Sequence, residues 1–178
     1  MKNIFFVFIL AGLLSACCCP SQAKETGTRL ESVEASIRAG NPKATLEKYF
    51  SCEKHEGSAY EGIETGSPQW VSIAERMLHY SDACYTEGIQ AALGRAMQRS
   101  PQNVLPLVNK SPTLAANYIC LPFISSELPI KSQQAEVIKS KKSIEKIQND
   151  KVRAQKEACL LFIKSVETNL IGQLPPSL

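Results

Sequence analysis

The sequence constrains the fold most strongly between residues 67 and 99, where apolar side chains recur at helical spacing. After Ser67-Pro68, one stripe is formed by Trp70, Ile73, Ala74, Met77 and Leu78. These positions follow the i, i+3, i+4, i+7, i+8 pattern of a helix that buries one face. Asp82 is a good N-cap residue, and past it the pattern repeats at Tyr85, Ile89, Ala92, Leu93, Ala96 and Met97. Two successive helices of this kind predict an all-α domain.

Prolines mark further helix starts. Each follows a side chain that can cap a helix, in the pairs Asn41-Pro42, Ser67-Pro68, Ser100-Pro101 and Ser111-Pro112. Their spacing is irregular and does not indicate a repeat array. Residues 67–120 resemble HEAT-like helical hairpins, which implies short antiparallel helices. We therefore expect a single all-α domain, built as a helical bundle or as an irregular stack of helical hairpins.

The rest of the chain alternates between loop and helix signals. Residues 51–66 contain three glycines and four glutamates and are expected to form an acidic loop. Residues 121–130 are expected to form an extended connector. A charged helix is expected from Ser132, and Asn149-Asp150 either caps a new helix or lies within a continuous one. The apolar stretch from 158 to 171 is expected to pack into the core.

The N-terminal segment has the features of an export signal. A positive Lys2 precedes an apolar run of about eleven residues, Ile4 to Leu14, which is too short for the ~20 residues of a membrane-spanning helix. The stretch that follows, Leu14-Ser15-Ala16-Cys17, resembles the lipobox of bacterial lipoproteins. This resemblance implies cleavage before Cys17 and lipidation of its sulfur. The alternative is an ordinary secretory signal that is cut after Ser21-Gln22-Ala23.

The lipoprotein resemblance implies a location in the cell envelope. Cys18, rather than Asp, follows the lipidated residue, so in a Gram-negative cell the anchor is expected in the outer membrane, facing the periplasm. The expected organisation is a signal peptide (1–16), a lipidated cysteine with a flexible tether (17–28), a helical domain (29–171) and a C-terminal tail (172–178).

Four cysteines remain for the folded part: Cys52, Cys84, Cys120 and Cys159. An even number in an oxidising compartment indicates two disulfides, for which three pairings exist. We favour Cys52–Cys84 and Cys120–Cys159, because each pairing joins neighbouring helices. The alternative is a zinc site made by Cys52, Cys84, His55 and His79. Exported thiols are normally oxidised, so we expect no metal.

The sequence contains no convergent catalytic set. It lacks a nucleophile elbow, a P-loop, a dinucleotide fingerprint and an HExxH motif. A net charge of +3 does not indicate nucleic-acid binding. We therefore expect no catalytic residues and no cofactor. The expected partner is an envelope protein, which this chain binds as an accessory or scaffold subunit or as an inhibitor of the immunity type.

The competing hypothesis is an enzyme that acts on cell-wall glycans. Paired carboxylates carry out glycoside hydrolysis, and the 51–66 segment contains Glu53, Glu56, Glu61 and Glu64. Such a glutamate-rich segment is more commonly a solvated or docking surface. The sequence therefore favours binding over catalysis and keeps the glycan enzyme as the alternative.

Overall fold

The computed structural model describes residues 29–53 and 58–172. Within these residues the chain forms nine α-helices, three short 3-10 turns and no β-strand. The helices are α1 (Leu30–Arg38), α2 (Pro42–Tyr49), α3 (Ala59–Glu64), α4 (Pro68–Leu78), α5 (Ala83–Arg99), α6 (Pro101–Val104), α7 (Ala116–Ile119), α8 (Ile130–Glu145) and α9 (Arg153–Ile171). The expected all-α class with short helices is confirmed.

The expected N-caps and prolines begin several of these helices. The Asn41 side chain accepts a hydrogen bond from the Ala44 backbone N–H at 3.0 Å, and Ser67 accepts one from Trp70 at 3.4 Å. In both helices a proline occupies the first turn. Asp82 holds the N-cap position of α5 without a side-chain hydrogen bond. Local chemistry therefore places the helix starts even where the cap itself contributes little.

The fifth helix is the centre of the domain. It packs against α3, α4, α6, α7 and α8, while α9 packs along α8 and against α7. Its side chains Ile89, Leu93 and Met97 are fully buried. Because α5 carries neighbours on most of its circumference, only a limited strip of its surface faces solvent.

The expected acidic loop over residues 51–66 is partly wrong, because residues 59–64 form α3. Ser58 caps this helix by accepting a hydrogen bond from the Tyr60 backbone N–H at 3.3 Å. Its apolar side chains are buried against α5, and Gly62 lies directly under the ring of Trp70. A helix of six residues is too short to show a period, and isolated helices of this length are unstable. Tertiary packing stabilises it.

The structure of α8 and α9 decides where the last helix begins and how much of residues 158–171 is buried. Asn149 accepts a hydrogen bond from the Lys151 backbone N–H at 3.1 Å, so a new helix begins after a break rather than continuing α8. The apolar stretch from 158 to 171 is only partly in the core. Ile163 is fully buried, whereas Leu161 is 72% exposed, because α9 buries a single face against α7 and α8.

Three predicted segments lie outside the described residues. They are the signal peptide (1–16), the lipidated Cys17 with its tether (17–28), and residues 173–178 of the C-terminal tail. Among the residues that the structure does describe, none of the helices combines the length and the apolar character needed to cross a membrane.

Candidate functional site

Two disulfides form in the expected pairing: one links Cys52, in the loop before α3, to Cys84 on α5, and the other links Cys120, at the end of α7, to Cys159 on α9. The Cα atoms of Cys52 and Cys84 are 5.5 Å apart, and those of Cys120 and Cys159 are 5.4 Å apart. The second pair is fully buried, whereas Cys52 is exposed. Since Cys52 and Cys84 are bonded to each other, they do not provide thiolate ligands for the zinc site considered above.

Of the two histidines, the structure describes only His79. His79 is exposed at the C-terminal end of α4, where its ring contacts Tyr80 with 4.9 Å between the centroids. His55 lies outside the described residues. Across residues 29–53 and 58–172, no group of three or more potential metal-ligating side chains comes together.

A groove runs along the exposed strip of α5. It consists of two clefts that share Glu87, Ala91 and Phe123 in their linings. The apolar lobe has a volume of about 480 Å³ and is also lined by Tyr118, Leu121, Pro122, Ile124, Phe162 and Val166. The acidic lobe has a volume of about 730 Å³ and is also lined by Cys52, Glu53, Tyr60, Glu64, Cys84 and Arg95. We call the two lobes together the α5 groove.

Small residues of α5 form part of the groove lining. Gly88 and Ala91 have little or no side chain, so they leave space above the helix backbone. A Cβ at Gly88 would collide with the ring of Tyr60. Tyr60 therefore packs tightly beside α5, where it also meets the Phe50 ring edge-on at 5.4 Å. Burial, followed by the charge of Tyr85, raises the pKa of Tyr60 to about 12. Tyr60 is thus a neutral structural wall of the groove at physiological pH.

Phe123 stands at the junction of the two lobes and is 79% exposed. The chain leading to it is held firmly. Cys120 is bonded to Cys159, and Leu121 and Pro122 are buried. Their backbone passes so close to Gly94 of α5 that a Cβ there would collide with it. The exposed aromatic ring is therefore carried by a fixed backbone rather than by a loose loop.

The acidic lobe has an excess of carboxylates. Glu64 accepts a hydrogen bond from the Arg95 guanidinium at 2.5 Å in a partly buried ion pair. Glu53 and Glu87 line the same lobe and are exposed, and no described residue forms an ion pair with either carboxylate. Among the described residues that line this lobe, three carboxylates therefore face one guanidinium, and Glu53 and Glu87 form no ion pair with another described residue.

The structure separates the glutamates that the sequence grouped together. Glu53 and Glu64 line the acidic lobe, Glu61 lies on α3 and lines neither lobe, and Glu56 is outside the described residues. Sequence reasoning missed Glu87 and Phe123. For Phe123, the available signal was an aromatic residue directly after a proline in a connector that we expected to be extended.

Residues 130–171, which include α8 and α9, carry nine basic and five acidic side chains. Lys141 forms an ion pair with Glu167 at 2.9 Å. This hydrogen bond, together with the charge of Glu167, raises the pKa of Lys141 above its ordinary value. Lys141 is thus engaged by Glu167, while the α8–α9 region as a whole keeps an excess of basic side chains.

No family model matches this chain, and neither a curated protein nor a solved structure matches it. A functional assignment therefore rests on the chemistry of the chain and the geometry of the α5 groove.

Proposed function

We propose that this protein is an envelope lipoprotein, anchored through Cys17, that acts by binding another protein in the α5 groove. In a Gram-negative cell its place would be the periplasmic side of the outer membrane. The lipobox-like stretch Leu14-Ser15-Ala16-Cys17 supports the anchor. Acyl chains bind a bilayer by about 0.8 kcal/mol per buried CH₂, so an anchor with several chains is durable. The helical domain then stays close to partners in the envelope.

Phe123 is the observation that carries the binding proposal. An aromatic side chain that is 79% exposed leaves apolar surface in water. Energetic hot spots of protein interfaces are commonly aromatic residues that lie at the centre of a patch. Phe123 borders both lobes and is held by a buried disulfide and by the close approach at Gly94. A rigid anchor loses little entropy when it binds.

The glycan-enzyme hypothesis finds some support in the acidic lobe, because three carboxylates line it. One of them, Glu64, is already engaged by Arg95. Glu53 and Glu87 are the pair that such an enzyme would have to use. Their replacement by glutamine would abolish peptidoglycan digestion by an enzyme, whereas a binding protein would digest no peptidoglycan in either form.

The binding proposal is tested by photo-crosslinking in cells. A photo-reactive amino acid is placed at Asn117, which is exposed and lines the apolar lobe, and in a control at Gln102, which is exposed on α6 and lines neither lobe. We expect one dominant protein adduct from Asn117 and none from Gln102. The adduct should disappear in Phe123→Ala and weaken in Cys17→Ala, which removes the anchor.

Two results would contradict the proposal. The first is the same set of adducts from both positions, since this would indicate contact by chance. The second is digestion of peptidoglycan by the purified protein that stops in Glu53→Gln and Glu87→Gln. The second result would establish the enzyme hypothesis instead.

A further inference from the structure

We infer that the α5 groove receives a protein segment in which a lysine or arginine lies beside apolar side chains. This inference rests on the proposed binding function and specifies the chemistry of the partner. Its basis is the uneven distribution of apolar and charged side chains along the groove.

The apolar lobe selects for apolar side chains. Glu87 is the single charged residue among the described residues that line it, and the remainder is dominated by aromatic, aliphatic and proline side chains. Phe162 and Val166 of α9 form one part of this lining, and Phe123 with Ile124 forms another. A partner side chain that enters here removes apolar surface from water on both molecules, which is the main favourable term in association.

The acidic lobe selects for positive charge. Glu53 and Glu87, which form no ion pair with another described residue, belong to a chain whose formal net charge is +3, so the negative character of their lobe is local and opposite to that of the whole chain. A basic side chain placed over them gains charge complementarity, which favours the correct partner and orientation. A polyanion, such as a nucleic acid, would be repelled from this lobe.

The length of the groove sets the size of the segment. Groove residues on α5 run from Cys84 to Arg95, which corresponds to ~16 Å at 1.5 Å per helical residue. An extended strand covers this distance with about five residues, and a helix covers it with about eleven. Glu87 and Phe123 belong to both lobes, so the basic and apolar side chains of the partner must be close together in its sequence.

The probe for this inference is a phage library that displays random peptides about twelve residues long, a length that covers the groove in either conformation. It is selected on the mature lipidated protein, which begins at Cys17, in detergent. We expect the recovered peptides to combine a lysine or arginine with nearby apolar residues. A consensus peptide is then synthesised with a fluorescent label, and its affinity is measured by anisotropy at low and high salt.

Matched variants locate the binding site. Phe123→Ala should lower the affinity for the consensus peptide by about 30-fold, the size typical of a hot spot. The control Tyr80→Ala, which replaces an exposed aromatic residue outside the groove, should leave the affinity unchanged. Glu87→Lys should lower the affinity for the consensus peptide by about tenfold or more and remove most of the salt dependence of binding. Glu47→Lys, at an exposed site on α2, is the charge control.

Each outcome bears on a different step. Recovered peptides that need Phe123 but carry no basic residue would overturn the inferred partner chemistry and leave the proposed function intact. Failure to recover any peptide that depends on Phe123 would overturn the inference too, and the Asn117 crosslink then decides the proposed function separately. A crosslinked pair of two copies of this chain at Asn117 would identify the occupant as a second copy and would also overturn the inference.

Discussion

Replacing Gly94 with alanine tests how Phe123 is held. Gly94 lies in the middle of α5, where alanine normally favours the helix by ~1 kcal/mol. Here the added Cβ would collide with the backbone of Leu121 and Pro122, including the carbonyl group of Leu121. Backbone atoms cannot swing aside as the end of a flexible side chain does. The connector that carries Phe123 must therefore move, although Cys120 beside it is bonded to Cys159.

The gain in helix propensity and the steric cost of the added Cβ have opposite signs, and their magnitudes can be compared. Overpacking a tight interior costs about 1–3 kcal/mol, and a collision with fixed backbone belongs at the upper end of this range. After the helix gain of ~1 kcal/mol is subtracted, Gly94→Ala should lower the free energy of unfolding by about 2 kcal/mol. For a chain of this size, that corresponds to a decrease in Tm of about 4–8 °C.

The measurement is thermal unfolding of the oxidised protein, followed by circular dichroism, together with the affinity of the consensus peptide. Gly172→Ala is the matched control, because its added Cβ would meet only ordinary contacts at 3.7 Å and should leave Tm unchanged or slightly higher. We expect Gly94→Ala to weaken peptide binding as well, since the displaced connector moves Phe123. If Gly94→Ala is as stable as the wild type, then the backbone of Leu121 and Pro122 does not pack tightly against Gly94, and the argument that Phe123 is held rigidly is wrong.

Three further predictions concern the disulfides and Tyr60. Mild reductant on the native protein should open Cys52–Cys84 before Cys120–Cys159, because Cys52 is exposed and the second pair is buried, and alkylation followed by mass spectrometry measures the order. Replacing both Cys120 and Cys159 with alanine should lower the free energy of unfolding by about 4 kcal/mol, because the disulfide closes a loop of 39 residues. Urea unfolding measures this loss, and a loss under ~1 kcal/mol would contradict the prediction. Between pH 10 and about 12, Tyr60 loses its proton in the unfolded chain but keeps it in the folded protein. The free energy of unfolding therefore falls as pH rises, by up to about 1.4 kcal/mol per pH unit. Urea unfolding across this range should show that Tyr60→Phe removes that part of the slope, and an identical slope in both proteins would exclude the buried phenol as its source.

Much of the architecture follows from short-range patterns. The stripe in α4 and the proline after Ser67 predicted a helix with one buried face, and Trp70, Ile73 and Met77 are indeed buried. A helix of eleven residues repeats its apolar period several times, so the pattern is visible without knowledge of the partner surfaces. The even number of cysteines in the domain similarly indicated two disulfides, and the preference for links between neighbouring helices gave the pairing that is observed.

The groove could not be predicted in the same way. Its lining brings together Glu53, Glu87 and Phe123, which are far apart in the chain and belong to different elements. Glu87 lies on α5 at a position that the helical period marks only as exposed. Phe123 follows a proline in a connector, and its exposure depends on the path that Gly94 and Cys120 impose on the backbone. Such long-range packing leaves no local period in the sequence.

By itself, the sequence determined the helical class, the main helix starts and the number of disulfides in the domain, while the lipid anchor at Cys17 stays a prediction. The helical class and the helix starts depend on residues that are adjacent or a few helical turns apart, and the number of disulfides follows from the cysteine count alone. Only the tertiary structure decided that residues 59–64 form a helix, which side of α9 remains exposed, and that Phe123 joins an apolar lobe to an acidic one. The physical reason is that these features depend on which surfaces pack against α5 and α9, and packing between distant segments is a property of the whole chain.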